Sequence, residues 1–470
     1  MPGAHHDSAA RVVGIVADVP ESVLMAAAST RTSHPPVSLP SVPYDLKDSG
    51  LPFSFLADLL LKVLYIHGGL LGRELAAKVC LPYPIVDGPL KFLLDEAYCQ
   101  SAGMKTHSLE SNETLGAGMQ YIITNAGQAR AREVMSISQY AGPAPVTIES
   151  YVEMAKRQAS GPLPLDWDVL KKVFGKLVIP ADLLERLGPA LSSRQAIFLY
   201  GPAGNGKTSI AEATVALCGG PIFVPHALYV QGEVIRFLDP VYHHHHSLGK
   251  EIPSHDLRWE LVDRPIVKVG GELSPAMLGL GFNGSTGYYE ASHQLKANGG
   301  IFLIDDFGRQ QNMSTVEILN RLIVPLENGV DYLNLVRGGT SVPVPFTALL
   351  ILSTNLAPQS LMDEAFFRRV KWKIEVSNPL MDEYVVIWKR VCEEFDIPFS
   401  RPAIDRLVQV YYREKERDLH GAHPRDLAVH LIHIAKYQEV EPELSDELLD
   451  SACATYFVDA VPEVEEEPAT

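Results

Sequence analysis

The hydrophobic rhythm of the chain changes along its length. From about residue 51 apolar positions recur at helical spacing over Leu59–Tyr65, Gly72–Val79 and Pro84–Glu96. Met119–Thr124 alternates with the two-residue period of a strand, and Asn125–Arg132 opens a further helix. Between about residues 166 and 376, short apolar runs of strand length alternate with helical stretches, which predicts an α/β domain with a parallel sheet. Beyond Pro379 the period is helical throughout, over Met381–Phe395, Ala403–Glu414, His423–Tyr437 and Ser445–Phe457.

Breaker residues separate these stretches. Residues 1–44 are Ser/Pro-rich and end in a proline-dense run from His34 to Pro43, which predicts a flexible leader. Gly142–Pro145 and Gly161–Pro164 bracket a second expected linker over 141–165. The end of the chain, 461–470, is an acidic tail. The expected division is a first folded domain over 45–140, an α/β domain over 166–376 and a helical domain over 377–460.

A chain of 470 residues is too long for one core. Its apolar and charged fractions, 46% and 21%, are ordinary for a globular protein. The net charge of −17 argues against non-specific grip on nucleic acid or an anionic membrane. The five cysteines are scattered with no C-x-x-C, which points to a reducing compartment. No stretch suits a membrane span, and the N-terminus lacks the charged start and apolar core of a signal peptide, so a cytoplasmic location is expected.

The chemistry is concentrated in a few segments. Gly201-Pro-Ala-Gly-Asn-Gly-Lys207-Thr208 matches the phosphate-loop pattern at every fixed position, after the apolar run Ala196–Tyr200 and before a helical stretch from Ser209 to Leu217. Its glycines let the backbone N–H groups of Gly201, Ala203, Gly204, Asn205 and Gly206 curl around a polyphosphate, Pro202 shaping the loop without donating, and the helix start adds partial positive charge. Lys207 would neutralise the terminal phosphates, and the Thr208 hydroxyl would ligate Mg²⁺. Ile301–Ile304 is a buried strand delivering Asp305 and Asp306 at its end: one carboxylate for Mg²⁺, Asp305, and one for the attacking water, Asp306. A third apolar strand, Ala348–Thr354, ends in Asn355, an amide able to hold that water.

Phosphate loop, acidic strand, Ser353-Thr354-Asn355, Phe366–Arg369 and Gly421–Arg425 occur in the order and spacing of an AAA+ ATPase, which the chain resembles over roughly 160–460. The resemblance implies an α/β P-loop core of strand order 5-1-4-3-2, a C-terminal helical lid, ATP and Mg²⁺ as ligands, and a ring, often of six subunits. It implies that Arg368 or Arg369 reaches the nucleotide of a neighbouring subunit and that Arg425 contacts its own. The second acid of the acidic strand is usually Glu in that family; here it is Asp306, a shorter reach that predicts slow hydrolysis. Leu319–Gly329 followed by a hairpin centred on Gly338-Gly339 resembles the branch with a hairpin before the third strand, MoxR-type ATPases most of all, whose members are described as chaperone-like.

Residues 50–135 resemble a winged-helix domain. Between Asp45 and Glu149, eight Lys/Arg face eleven Asp/Glu, so a protein partner is favoured over DNA. The expected function is an oligomeric, chaperone-like remodelling or assembly ATPase acting on a protein client. The alternatives are a DNA-directed regulator or loader and a slow-turnover nucleotide-dependent scaffold. The long stretch from Pro221 to Gln294 holds His243–His246, where a solvated loop is favoured over a metal site. Gly279–Tyr289, with Phe282, Tyr288 and Tyr289, is a candidate pore-facing loop, with a packed loop favoured over it.

Overall fold

The computed structural model describes residues 13–14, 39–104, 115–159, 165–247, 254–361 and 368–457. The rest of the expected leader up to residue 38, the acidic tail and Phe366 lie outside the described residues. In the N-terminal body, α1 (Phe53–His67) is buried on nearly all sides, with Leu56, Leu59, Leu60, Leu61, Val63 and Leu64 almost inaccessible. A helix apolar all round belongs at the centre of its body. Gly68, at φ +77°, ends it where a side chain would be strained. There follow β1 (Gly69–Leu71), α2 (Gly72–Lys78), α3 (Tyr83–Asp95), β2 (Cys99–Met104), β3 (Met119–Ile123) and α4 (Asn125–Ile137). The strands form an antiparallel sheet in the order β1-β3-β2.

The stretch 141–165 departs from the expectation of a linker. It contains β4 (Val146–Thr147) and α5 (Ile148–Gln158). Ile148, Tyr151, Met154 and Ala155 make a buried stripe at helical spacing, which holds α5 against the protein. The central sheet then begins with β5 (Ile197–Tyr200), followed by α6 (Lys207–Ala213). Next come β6 (Ala227–Val230), β7 (Glu233–Arg236), β8 (Ile266–Val269), β9 (Gly281–Asn283) and β10 (Tyr288–Glu290). Apart from β8, these build a second sheet with β4, ordered β9-β10-β7-β6-β4.

The aromatics of 279–289 are therefore packed, not pore-facing. Tyr289 is fully buried, Phe282 lies 4.9 Å from its ring, and Tyr288 meets Tyr140 edge-on at 5.8 Å. The turn after β9 docks on the end of α4, where Gln139 donates from its backbone N–H to Thr286 O and from Nε2 to Ser285 O. A second tie is the buried pair Arg258–Asp256, 4% and 3% exposed. Arg258 also donates to the carbonyls of Ser49 and Pro145, so one guanidinium joins the N-terminal body and the segment before β4 to the stretch around residues 256–258.

The histidine run is split by its surroundings. His245 pairs with Glu260 and His246 with Asp263, while His243 is 5% exposed and stacks on Phe237. The Asp239 N–H donates to His243 Nδ1 at 3.0 Å, leaving Nε2–H to donate to Lys296 O at 3.0 Å. Burial pushes the His243 pKa down to about 4. Between pH 6.5 and 4 the unfolded imidazole binds a proton that the folded one refuses, so stability is full above 6.5 and is lost as pH falls. The thermal midpoint of wild type is expected to drop across this window, by about 2 kcal/mol of stability at pH 4.5 from this group. His243→Gln, which cannot titrate, should show a shallower fall in the same melting series.

Further along the chain come β11 (Ile301–Ile304), α7 (Thr315–Asn328), β12 (Val330–Leu335), β13 (Thr340–Pro345), β14 (Leu349–Thr354) and β15 (Trp372–Glu375). The central sheet runs β8-β11-β14-β5-β15, parallel at every pairing. Counted from β5 as the first core strand, this is the expected order 5-1-4-3-2. Every residue of β11 and β14 is buried, as strands covered on both faces require. β12 and β13 form the expected hairpin ahead of β14. Its tip is fastened: Arg337 donates from its N–H to the Tyr289 hydroxyl and lays its guanidinium 4.7 Å over Phe282. Finally, α8 (Met381–Glu394), α9 (Arg401–Val408), α10 (His423–Tyr437) and α11 (Asp446–Tyr456) pack around Trp388, Tyr384 and Leu431 as a helical lid.

Candidate functional site

The glycine loop 201–208 connects β5 to α6 at the end of the central sheet. At Gly201, φ is +136° and an added Cβ would stand 2.3 Å from Val376 O, so only glycine fits. Gly206, at φ +81°, turns the chain into α6. Lys207, the first residue of α6, is 6% exposed, and its Nζ donates to Gly201 O and Pro202 O, each at 2.8 Å, and to Asn355 Oδ1 at 2.6 Å. Burial lowers its pKa, opposed by the charges of Asp305 and Asp306.

The two aspartates leave the end of β11 in different directions. Thr208 Oγ1 donates to Asp305 Oδ2 at 2.8 Å. Asp306 has φ +47°, a left-handed conformation that Asp adopts more readily than most side chains. That turn brings its carboxylate beside Asn355, whose Nδ2 is 3.4 Å from Asp306 Oδ1. Lys207, Thr208, Asp305, Asp306, Asn355 and Arg425 line a single cavity of about 360 Å³. Six side chains named from separate stretches of sequence thus meet in one place. Arg425 reaches it from the first turn of α10 while ion-paired with Glu394 at 2.9 Å. Arg368 and Arg369 do not line the cavity, and Arg369 Nε is 2.6 Å from Glu327 Oε1.

Two features escaped the sequence reading. Lys268 on β8 places Nζ 3.6 Å from Asp305 Oδ2 and 3.5 Å from Glu212 Oε1, a second cation near the acidic pair. A second cavity, of about 250 Å³, opens beside the glycine loop, walled by Val178, Ile179, Pro180, Leu380 and Ile387. Its apolar walls come from stretches about 200 residues apart, and only the short run Val178-Ile179-Pro180 marks it in the sequence.

A parallel 5-1-4-3-2 sheet with its glycine loop after the central strand and a helical lid above it decides the fold class. The chain carries the AAA+ P-loop fold. A family model described as a domain of unknown function, DUF8689, matches residues 381–455, the lid helices of this AAA+ fold. No curated protein matches the sequence. Solved structures similar to it include NtrX from Brucella abortus in complex with ATP, 14% identical with a TM-score of 0.38 over 65% of this chain and 61% of that one. RuvB from Thermotoga maritima, as a point mutant, is 11% identical with a TM-score of 0.35 over 58% and 69%. The FIGL-1 AAA domain is 15% identical with a TM-score of 0.30 over 56% and 71%. This chain spans 61% of the NtrX chain's length. The fold assignment rests on the sheet order and glycine loop of this protein itself.

Proposed function

We propose that this protein binds and hydrolyses ATP with Mg²⁺. The observation that carries the reading is the convergence of Lys207, Thr208, Asp305, Asp306, Asn355 and Arg425 on one cavity. The backbone N–H groups of the glycine loop and Lys207 would bind the phosphates. The apolar cavity walled by Val178, Ile179 and Leu380 would take the base. Thr208 and Asp305, hard oxygen donors already 2.8 Å apart, fit Mg²⁺, which when bound supplies charge neutralisation at the terminal phosphates. Asp306 would orient the attacking water and accept its proton, and Asn355 would fix the carboxylate through Nδ2. Arg425 would leave Glu394 for the phosphates, where a planar guanidinium is matched to anionic oxygens.

The larger role follows from the parts around the cavity. Arg368 or Arg369, outside the cavity of its own chain, would serve the site of a second copy in a ring. The hairpin β12–β13 supports the MoxR-like branch and a chaperone-like remodelling of a protein client. The N-terminal unit, 45–140, would act as a winged-helix-like module that recognises protein. The exposed side of α3 presents Pro84, Gly88, Lys91, Phe92 and Asp95, a poor surface for phosphates. Among the described residues no helix is long and apolar enough to cross a membrane.

The test is direct. Calorimetric titration of the full chain with ATP and ADP in Mg²⁺ is expected to give saturable binding, and phosphate release is expected to be slow but dependent on Asp306. Absence of nucleotide binding would overturn the reading. Binding without any release would leave the nucleotide-dependent scaffold.

A further inference from the structure

The glycine loop touches more than the cavity it serves. Asn205 stands between two glycines of positive φ, Gly204 and Gly206, and is only 8% exposed. Its Oδ1 accepts from the Gly421 N–H at 2.9 Å, and its Nδ2 donates to Asn378 Oδ1 at 2.8 Å. The orientation of the amide follows from chemistry, because a backbone N–H can only donate and must face the oxygen. One side chain therefore spans three segments: the glycine loop, the chain leaving β15, and the turn that opens α10 of the lid.

The surroundings of these bonds are equally close. His420 Nδ1 lies 2.8 Å from Ala203 O. A Cβ added at Gly421 would stand 3.2 Å from Gly204 O, and one added at Gly204 would stand 3.3 Å from the Cβ of Ala422. The lid turn and the glycine loop are nested backbone to backbone. Gly206, Gly421 and Ile387 line both cavities, so this junction borders both.

We propose that Asn205 is a positioning residue that fastens the lid to the glycine loop, making lid docking and phosphate contact a single event. The inference rests on the nucleotide reading above and deepens it. Both polar ends of the Asn205 amide are taken by the lid turn and by Asn378. Its backbone N–H is what the loop offers to phosphate, and Asn205→Ala keeps that N–H. The side chain thus acts on the lid, through which Arg425 reaches the cavity.

The experiment is amide hydrogen exchange at Gly421, with and without ADP, alongside steady-state kinetics on the full chain. For Asn205→Ala, exchange at Gly421 is expected to quicken about tenfold and to lose its protection by ADP, the size expected for two net hydrogen bonds. The same variant should lower kcat about tenfold while KM moves less than about threefold, since the phosphate donors are intact. Asn378→Ala, which removes one of the two bonds, should shift exchange in the same direction by less. Asn378→Asp, whose carboxylate still accepts from Asn205 Nδ2, should stay near wild type. Unchanged exchange at Gly421 in Asn205→Ala would overturn the proposal, as would a rise in KM at constant kcat. If wild type binds ADP but releases no phosphate, hydrolysis fails as a reading while Gly421 exchange still decides the role of Asn205. If Asn205→Ala does not fold, the contrast between the two Asn378 variants decides it.

Discussion

Lys207→Ala is expected to lose ATP affinity by at least about 100-fold, while the chain keeps its fold. Two charge-assisted hydrogen bonds to phosphate oxygens, at roughly 1.5 kcal/mol each, account for that loss. The ammonium is already desolvated and aimed, held by the carbonyls of Gly201 and Pro202 and by Asn355. Little reorganisation is then needed when phosphate arrives. Removing it leaves two carbonyls and an amide beside a cavity that admits water, so folding is spared. It also leaves Asp305 and Asp306 with one fewer cation nearby, which further disfavours an anionic ligand. Titration with ATP, read beside circular dichroism and a melting curve, checks both halves. Wild-type affinity in the variant would remove the glycine loop from nucleotide binding.

Asp306→Asn is expected to bind ATP within a few-fold of wild type and to release phosphate at least about 100-fold more slowly. The substitution isolates charge from shape. Asn tolerates the left-handed φ of +47° as well as Asp does, whereas Ala there would add backbone strain. The amide keeps the size of the carboxylate and its place near Asn355, but it cannot take a proton from water. A single-turnover assay with binding measured on the same sample separates the two steps. Equal rates in wild type and variant would show that Asp306 is a strand-end carboxylate without a part in the chemistry.

The residues that line the candidate site were legible because their motifs are local in sequence. The glycine loop, Asp305 and Asp306 after an apolar strand, and Asn355 after another are each readable in under ten residues. The parallel order follows once those strands are recognised. Lid helix α10 was placed over the same residues by its period. Misjudgement came where structure depends on partners distant in the chain. Val146 and Thr147 become a strand only by pairing with Leu228 and Tyr229, and neither residue announces that alone. The proline-rich flanks at 142–145 and 161–164 masked the buried stripe of α5 between them. Strands of three residues, as in β9 and β10, carry too few alternations to separate from a loop. Lys268 reaches the acidic pair from β8, and Asn378 reaches the glycine loop from the stretch after β15, with no motif around either.

The Arg258–Asp256 pair bears on how the molecule can be divided. Its guanidinium is spent on the carbonyls of Ser49 and Pro145, and both charges are out of water. A chain shortened to begin at residue 166 would strip those acceptors away and leave β6 without its neighbour β4. A buried ion pair deprived of its surroundings destabilises what remains, and an opened sheet edge invites association. The α/β core is thus not a module that can be cut free at residues 141–165. The N-terminal body and the α/β core therefore stand or fall as one piece, and a strain applied to either is carried to the other through the Arg258 guanidinium.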